Sequence, residues 1–196
     1  GIRNRIPNEG TTMQTDCRLA TESDADDIAA LVNRAYRPGA SARGWTHEAH
    51  LVAGDRTTPA QILALLHARA AILVLCRDDT LVACVHAQGD ASIVWLGMLA
   101  TEPALQSQGL GKRMLQHAED FAVDRFKATE VRMAVLAARP ELIAFYERRG
   151  YARTGQVADY PVAAGTGQPR VEGLKVAILG KQTPTGIYNH ADEIRL

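Results

Sequence analysis

The sequence predicts a single α/β domain, and three observations predict it. An apolar, strand-like run from Ile93 to Ala100 breaks at Thr101-Glu102-Pro103 and leads through a glycine-bearing turn. Beyond that turn Leu110, Met114, Leu115, Ala118, Phe121 and Ala122 recur at helical spacing. A second strand candidate, Glu130 to Leu136, precedes a short helix: Pro140 suits its first turn, Arg148 and Arg149 its last, and Gly150 the left-handed position past its end. The third observation is length, since 196 residues suffice for one domain with a full core and are too few for two large ones.

The remaining elements follow in chain order. Cys17 to Ala20 reads as a short strand. Thr21 or Ser23 caps a helix with Asp24, Asp26 and Asp27 in its first turn and Arg34 near its end, a charge order matched to the helix dipole. Ile28, Leu31, Val32 and Ala35 give that helix one buried face. A loop beginning at Tyr36-Arg37-Pro38-Gly39 reaches Trp45-Thr46-His47-Glu48, where Thr46 can cap a short helix through Leu51. In that reading Glu48 sits in the first turn and Trp45 packs as an anchor. Thr58 caps the next helix, Pro59 begins it, and Ile62, Leu65 and Leu66 face inward. Cys76 and Cys84 lie in apolar runs separated by Arg77-Asp78-Asp79-Thr80, a hairpin turn. With Cys17 they carry no paired metal spacing and are expected as buried free thiols. Gly155 to Gly173 suits a long connection, and Leu174 to Leu179 the final strand. The domain is therefore placed at residues 16–182. Residues 1–15, polar and starting on Gly1 with Met13 as a candidate start, are set aside as a mobile extension or remnant, and 183–196 as a tail.

The glycine turn carries the chemistry. A turn of this kind lets a ligand approach the backbone, and the first helical turn offers free N–H groups and a positive dipole end to phosphate oxygens, with Lys112 adding charge. A Walker-type loop would need glycine at Gln106 and Ser or Thr at Arg113; a dinucleotide fingerprint would need glycine at Met114. The pattern that does fit is Q/R-x-x-G-x-G/A, met by Gln106, Gly109 and Gly111, and it resembles the pyrophosphate loop of the GNAT superfamily of N-acetyltransferases. Arg139 to Tyr151 resembles the second signature of that superfamily, a short helix carrying a Tyr, then Gly and an aromatic. Leu96 to Pro103 resembles its central strand, whose backbone hydrogen-bonds the pantetheine arm.

The resemblance runs from roughly Asp16 to Leu179. It implies an α+β domain with a mixed sheet of about seven strands, about four helices and a V-shaped splay between two central strands. It implies acetyl-CoA as co-substrate, held by Met98, Leu99, Ala100, Thr101, Gln106, Ser107, Gln108, Gly109, Leu110, Gly111, Lys112, Arg139 and Tyr146. It also implies that the first two helices and their loop shape the acceptor pocket, so that Trp45 and Glu48 line a site for a small amine. Arg139 stands where the second motif commonly has Asn, and Leu142 where it commonly has Ala.

The expected reaction is direct transfer of an acetyl group to a primary amine. The amine must lose a proton, the oxyanion needs a donor such as the backbone N–H near Leu99, and the departing thiolate needs an acid, the role of Tyr146 in the family. Glu102, Glu48 and His47 are the candidates for the base, none of them singled out by the residues alone. His47 and His50 are one turn apart without a third ligand, so no metal is expected. The alternatives are an acyl-CoA sensor or interaction module on the same fold, which would need no Tyr146, and an acyltransferase for longer chains. Lys plus Arg and Asp plus Glu both total 22, which argues against a nucleic-acid binder or a polybasic membrane clamp. No apolar run approaches the roughly 18 residues of a membrane helix and the N-terminus lacks a signal-peptide core, so a cytoplasmic protein is expected. A homodimer is in keeping with the family.

Overall fold

The computed structural model describes residues 15–36, 52–160, 168–169 and 173–185. Strand β1 (Thr15–Leu19) leads through a one-turn 3-10 helix into α1 (Ala25–Tyr36). The Asp24 carboxylate starts this helix by accepting the backbone N–H of Thr21 at 2.8 Å and the Arg18 guanidinium at 2.8 and 2.9 Å. After β2 (Val52–Ala53) comes α2 (Pro59–Ala64), where Thr58 accepts the Gln61 N–H and Gln61 returns the bond, a reciprocal cap. Then follow β3 (Ala70–Arg77), β4 (Thr80–Asp90), β5 (Ile93–Thr101), α3 (Leu110–Phe126), β6 (Glu130–Leu136), α4 (Pro140–Glu147), β7 (Ala152–Asp159), β8 (Gln168–Pro169) and β9 (Lys175–Gln182). None of the described helices is long and apolar enough to cross a membrane.

Seven strands form one mixed sheet in the order β1-β3-β4-β5-β6-β9-β7, while β2 and β8 pair separately. Every neighbouring pair in the large sheet is antiparallel except β5 and β6. The parallel pairing begins at Ile93–Glu130 and ends at Leu96–Met133. Beyond Leu96 the two strands part, giving the expected V. The reason lies one residue further on. Cys84 faces Ala100 but His86 faces Gly97, so β5 carries an extra residue there, and Met98 adopts φ +54°. A bulge of this kind bends its strand and increases local twist, turning β5 away from β6.

Helices cover both faces. On one side Ile28, Leu31, Val32 and Ala35 of α1 and Ile62 of α2 pack against Ile72, Val74, Cys84, Met98 and Ala100. On the other, Leu110, Met114, Leu115 and Ala118 of α3 and Leu142, Ile143 and Tyr146 of α4 pack against Leu73, Val85, Leu99, Val131 and Leu179. A satellite cluster of Leu136, Leu174, Val176 and Ile178, with Trp95 and Tyr160 beside it, lies on the far arm of the V.

The expected hairpin turn is present, with Asp78 and Asp79 both left-handed at φ +49° and +64°, as a type I′ turn requires. Two expectations need correction. Gly155 does not begin the connection to the last strand, because β7 continues to Asp159; its φ of +87° falls within an irregularity between Arg153 and Val157, so this glycine marks a bulge. The other concerns the cysteines, of which Cys76 pairs across the hairpin with Leu81 and Cys84 with Val74. All three are free thiols, yet only Cys84 is buried, and burial pushes it up to about 12.

Candidate active site

Where β5 and β6 part, the sheet opens into a cleft of about 390 Å³. Gly97, Met98 and Leu99 line one wall and Ala134, Val135 and Leu136 the other, with Leu115, Leu142 and Tyr146 below. Tyr146 is buried, its ring edge-on to Phe145 and Tyr151 at centroid distances of 5.3 and 6.0 Å. Burial, with the Tyr36 phenol nearby, raises its proton affinity well above that of an ordinary tyrosine. The phenol therefore stays protonated, and its hydroxyl makes no hydrogen bond within the protein among the described residues.

A second cavity, about 470 Å³, opens beside the glycine turn. Gln106, Ser107, Gly109, Leu110, Gly111 and Lys112 line one side, and Glu141, Phe145, Arg148 and Arg149 the other. Gly109 sits at φ +75° directly before α3, and Arg113 is the first residue whose N–H closes back onto it, at 3.0 Å. The N–H groups of Leu110, Gly111 and Lys112 thus have no intrahelical acceptor. Opposite them Arg149 stacks on the Phe145 ring at 3.6 Å and donates to the Phe145 carbonyl at 2.6 Å, while its buried Nε has no partner among the described residues. Open N–H groups, three cations and a helix start suit phosphate oxygens. The two cavities share α4 as a wall, Leu142 and Tyr146 serving the first, Glu141 and Phe145 the second.

A family model described as the acetyltransferase (GNAT) family matches residues 28–151. The chain belongs to this family. It is an acetyl-CoA-dependent N-acetyltransferase. It is 28% identical over 156 residues to the S-(2-succino)cysteine N-acetyltransferase of Bacillus subtilis, covering 74% of this chain and 88% of that one. In fold it is similar to the ribosomal-protein-S18-alanine N-acetyltransferase of Escherichia coli, with TM-score 0.65 at 18% identity over 86% of this chain and 94% of that one. It is also similar to yncA from Salmonella typhimurium, solved with its cofactor acetyl-CoA, with TM-score 0.62 at 19% identity over the same shares, 86% and 94%.

Most of the motif residues of this acetyltransferase line the two cavities. Met98, Leu99 and Tyr146 border the cleft; Thr101, Gln106, Ser107, Gly109, Leu110, Gly111 and Lys112 border the phosphate-like seat. Three do not. Ala100 is buried in the core under α1. Gln108 turns its Oε1 to Arg77 Nη1 at 3.0 Å. Arg139, 4% exposed, pairs its Nε with Glu141 Oε1 at 2.5 Å and lines neither cavity. The pair lies at the start of α4, at the position where the usual motif has Asn. Glu102 is engaged by Arg34 at 2.8 Å and borders neither cavity. Trp45, Glu48, His47 and His50 lie outside the described residues.

Two residues of the acetyltransferase's cleft were not anticipated. Tyr36, the last residue of α1, donates its hydroxyl to the Leu99 carbonyl at 2.7 Å. The signal was present, since Tyr36 continues the stripe of Ile28 and Val32 at steps of four. Arg56 holds its guanidinium 5.5 Å from the Tyr36 ring centroid and also lines the cleft. Arg148 and Arg149, assigned only to the end of a helix, face the second cavity.

Proposed function

We propose that this acetyltransferase moves an acetyl group directly to the primary amine of a small molecule, with Tyr146 as the acid that meets the leaving sulfur. The observation that carries the reading is the placement of Tyr146, a buried, protonated phenol without a described protein partner, on the wall shared by the two cavities. When bound, acetyl-CoA supplies an activated acyl group on a thioester. Lys112, Arg148, Arg149 and the open N–H groups of α3 would hold its phosphates. The bulged strand at Met98–Leu99 would align its arm, and Tyr36 fixes the Leu99 carbonyl of that strand.

The dimensions of the cleft support a small acceptor. Tyr36, Arg56, Trp95, Tyr160 and Val176 are part of its lining, which is typical of small-molecule sites of a few hundred Å³. The similarity to an enzyme named for a modified cysteine points the same way. Asp159 is the sole carboxylate among the described lining residues, and it is exposed and paired with Lys175. We therefore assign removal of the amine proton to water at the cleft mouth.

The test joins calorimetry and turnover. Acetyl-CoA should bind the wild type with micromolar affinity and fail to bind Gly111→Glu, whose side chain occupies the phosphate seat. Tyr146→Phe should keep that affinity within about threefold while turnover, followed by thiol release with an amine panel, falls by about 10²-fold, as expected for loss of a general acid. Undiminished turnover in Tyr146→Phe would remove it from the mechanism. Binding without acetylation of any amine would leave an acyl-CoA sensor.

A further inference from the structure

Arg56 is a guanidinium with no anion to meet among the described residues. Its backbone is clamped: the N–H groups of Arg56 and Thr57 both donate to Asn33 Oδ1, at 2.8 and 3.1 Å, and Asn33 Nδ2 donates to the Thr57 carbonyl at 2.9 Å. The side chain is half-buried and reaches the cleft over the Tyr36 ring. Among the described residues no carboxylate pairs with it. Holding a partly desolvated cation without a counter-ion costs free energy, which an anionic ligand would recover through a bidentate pair.

The surroundings narrow the ligand. The lining acid Asp159 is already joined to Lys175, and Glu102, outside the cleft, to Arg34. Among the described lining residues a polyamine would find one carboxylate, already paired, and one fixed positive charge. Trp95, Leu136, Tyr160 and Val176 offer apolar and aromatic contact in the same cleft. His86, two residues from Cys84 on β4, is kept neutral by burial and by the nearby cation, so Arg56 provides the charge on this wall.

We propose that Arg56 is a specificity residue that binds a carboxylate on the acceptor, so that the substrate class is amino acids with an apolar body: amine and carboxylate on one small molecule. This rests on the small-molecule reading above and narrows it. The acceptor enters with its carboxylate on Arg56, its body against the aromatic wall and its amine toward Met98 and Leu99.

The test compares L-methionine, L-leucine and L-phenylalanine with their carboxamides, and with spermidine, by thiol release from acetyl-CoA. A carboxamide's amine loses its proton more easily, so preference for the acid cannot arise from amine reactivity. The wild type should favour the best acid over its carboxamide by about 30-fold or more in kcat/KM, expressed in KM, since a site built for a charged hydrogen bond rejects the analogue lacking it. Arg56→Gln should collapse that ratio to within about threefold, and Arg56→Lys, a charge without the fork, should fall between. Near-UV circular dichroism checks that the variants fold; if they do not, the wild-type ratio alone decides. Equal use of acid and carboxamide, a preference for spermidine, or an equal fall for both acceptors in Arg56→Gln would overturn the inference while leaving small-molecule acetylation intact. Acetyl-CoA binding with no member of the panel acetylated would overturn both.

Discussion

His86 stands on the α1-facing side of β4, with its Nε2 buried and unpartnered among the described residues. Burial, then the charges of His67 and Arg56, hold its pKa down at about 4, from 6.5 for an ordinary histidine. The sign of the pH effect follows. Above pH 6.5 the ring is neutral folded or unfolded. As pH falls toward 4 only the unfolded chain takes up the proton, so stability declines through that window and the effect levels off below it. We expect on the order of 2 kcal/mol between the ends of the window, and a flatter profile in His86→Gln, read from urea midpoints at pH 7.5 and 4.5. Parallel profiles for the two proteins would show that another group sets the dependence. At this scale the sequence was legible where a motif fixed the register, as at Tyr146 and Gly109. It was silent on Arg56, because what aims that side chain is Asn33, 23 residues earlier, whose amide pins the backbone.

The strand-turn-helix unit was readable almost to the residue: the run from Ile93 became β5 and Leu110 opened α3. Apolar periodicity and a glycine at a helix start are local signals, and local physics sufficed. Gly109 shows what the turn demands. A Cβ there would meet nothing within 4 Å, so the cost of Gly109→Ala is conformational, about 1 kcal/mol for an L-residue held at φ +75°. The variant should unfold at correspondingly lower urea and, because the chain relaxes its turn, bind acetyl-CoA at least about tenfold more weakly. Stability equal to wild type would mean that the left-handed turn is not required. The bulges at Met98 and Gly155 were not legible. Each is defined by how two strands count against each other, and no single segment carries that count.

Across the whole molecule, the mixed sheet and its splay were expected from resemblance to the family; patterning gave only the elements. Balanced charge named no partner, and the walls of the cleft depend on side chains drawn from α1, β5, β6 and β9 at once. Ligand binding should report on the splay. With saturating acetyl-CoA, amides from Gly97 to Thr101 and from Ala134 to Leu136 should exchange with solvent about tenfold more slowly, alongside a rise in Tm. A rise in Tm with no change at those amides would place the ligand elsewhere.

A sheet normally keeps its unsatisfied backbone at the periphery, where another chain can add to it. This one has two further borders in its middle, from Gly97 to Leu99 and from Ala134 to Leu136, facing each other across a gap. A folded domain is too wide for a cleft of about 390 Å³. What can enter is something slim, extended and rich in amide groups, fed in lengthwise. The parting of β5 and β6 would therefore select on shape before any chemistry, favouring a reactive group carried on a long thin stem.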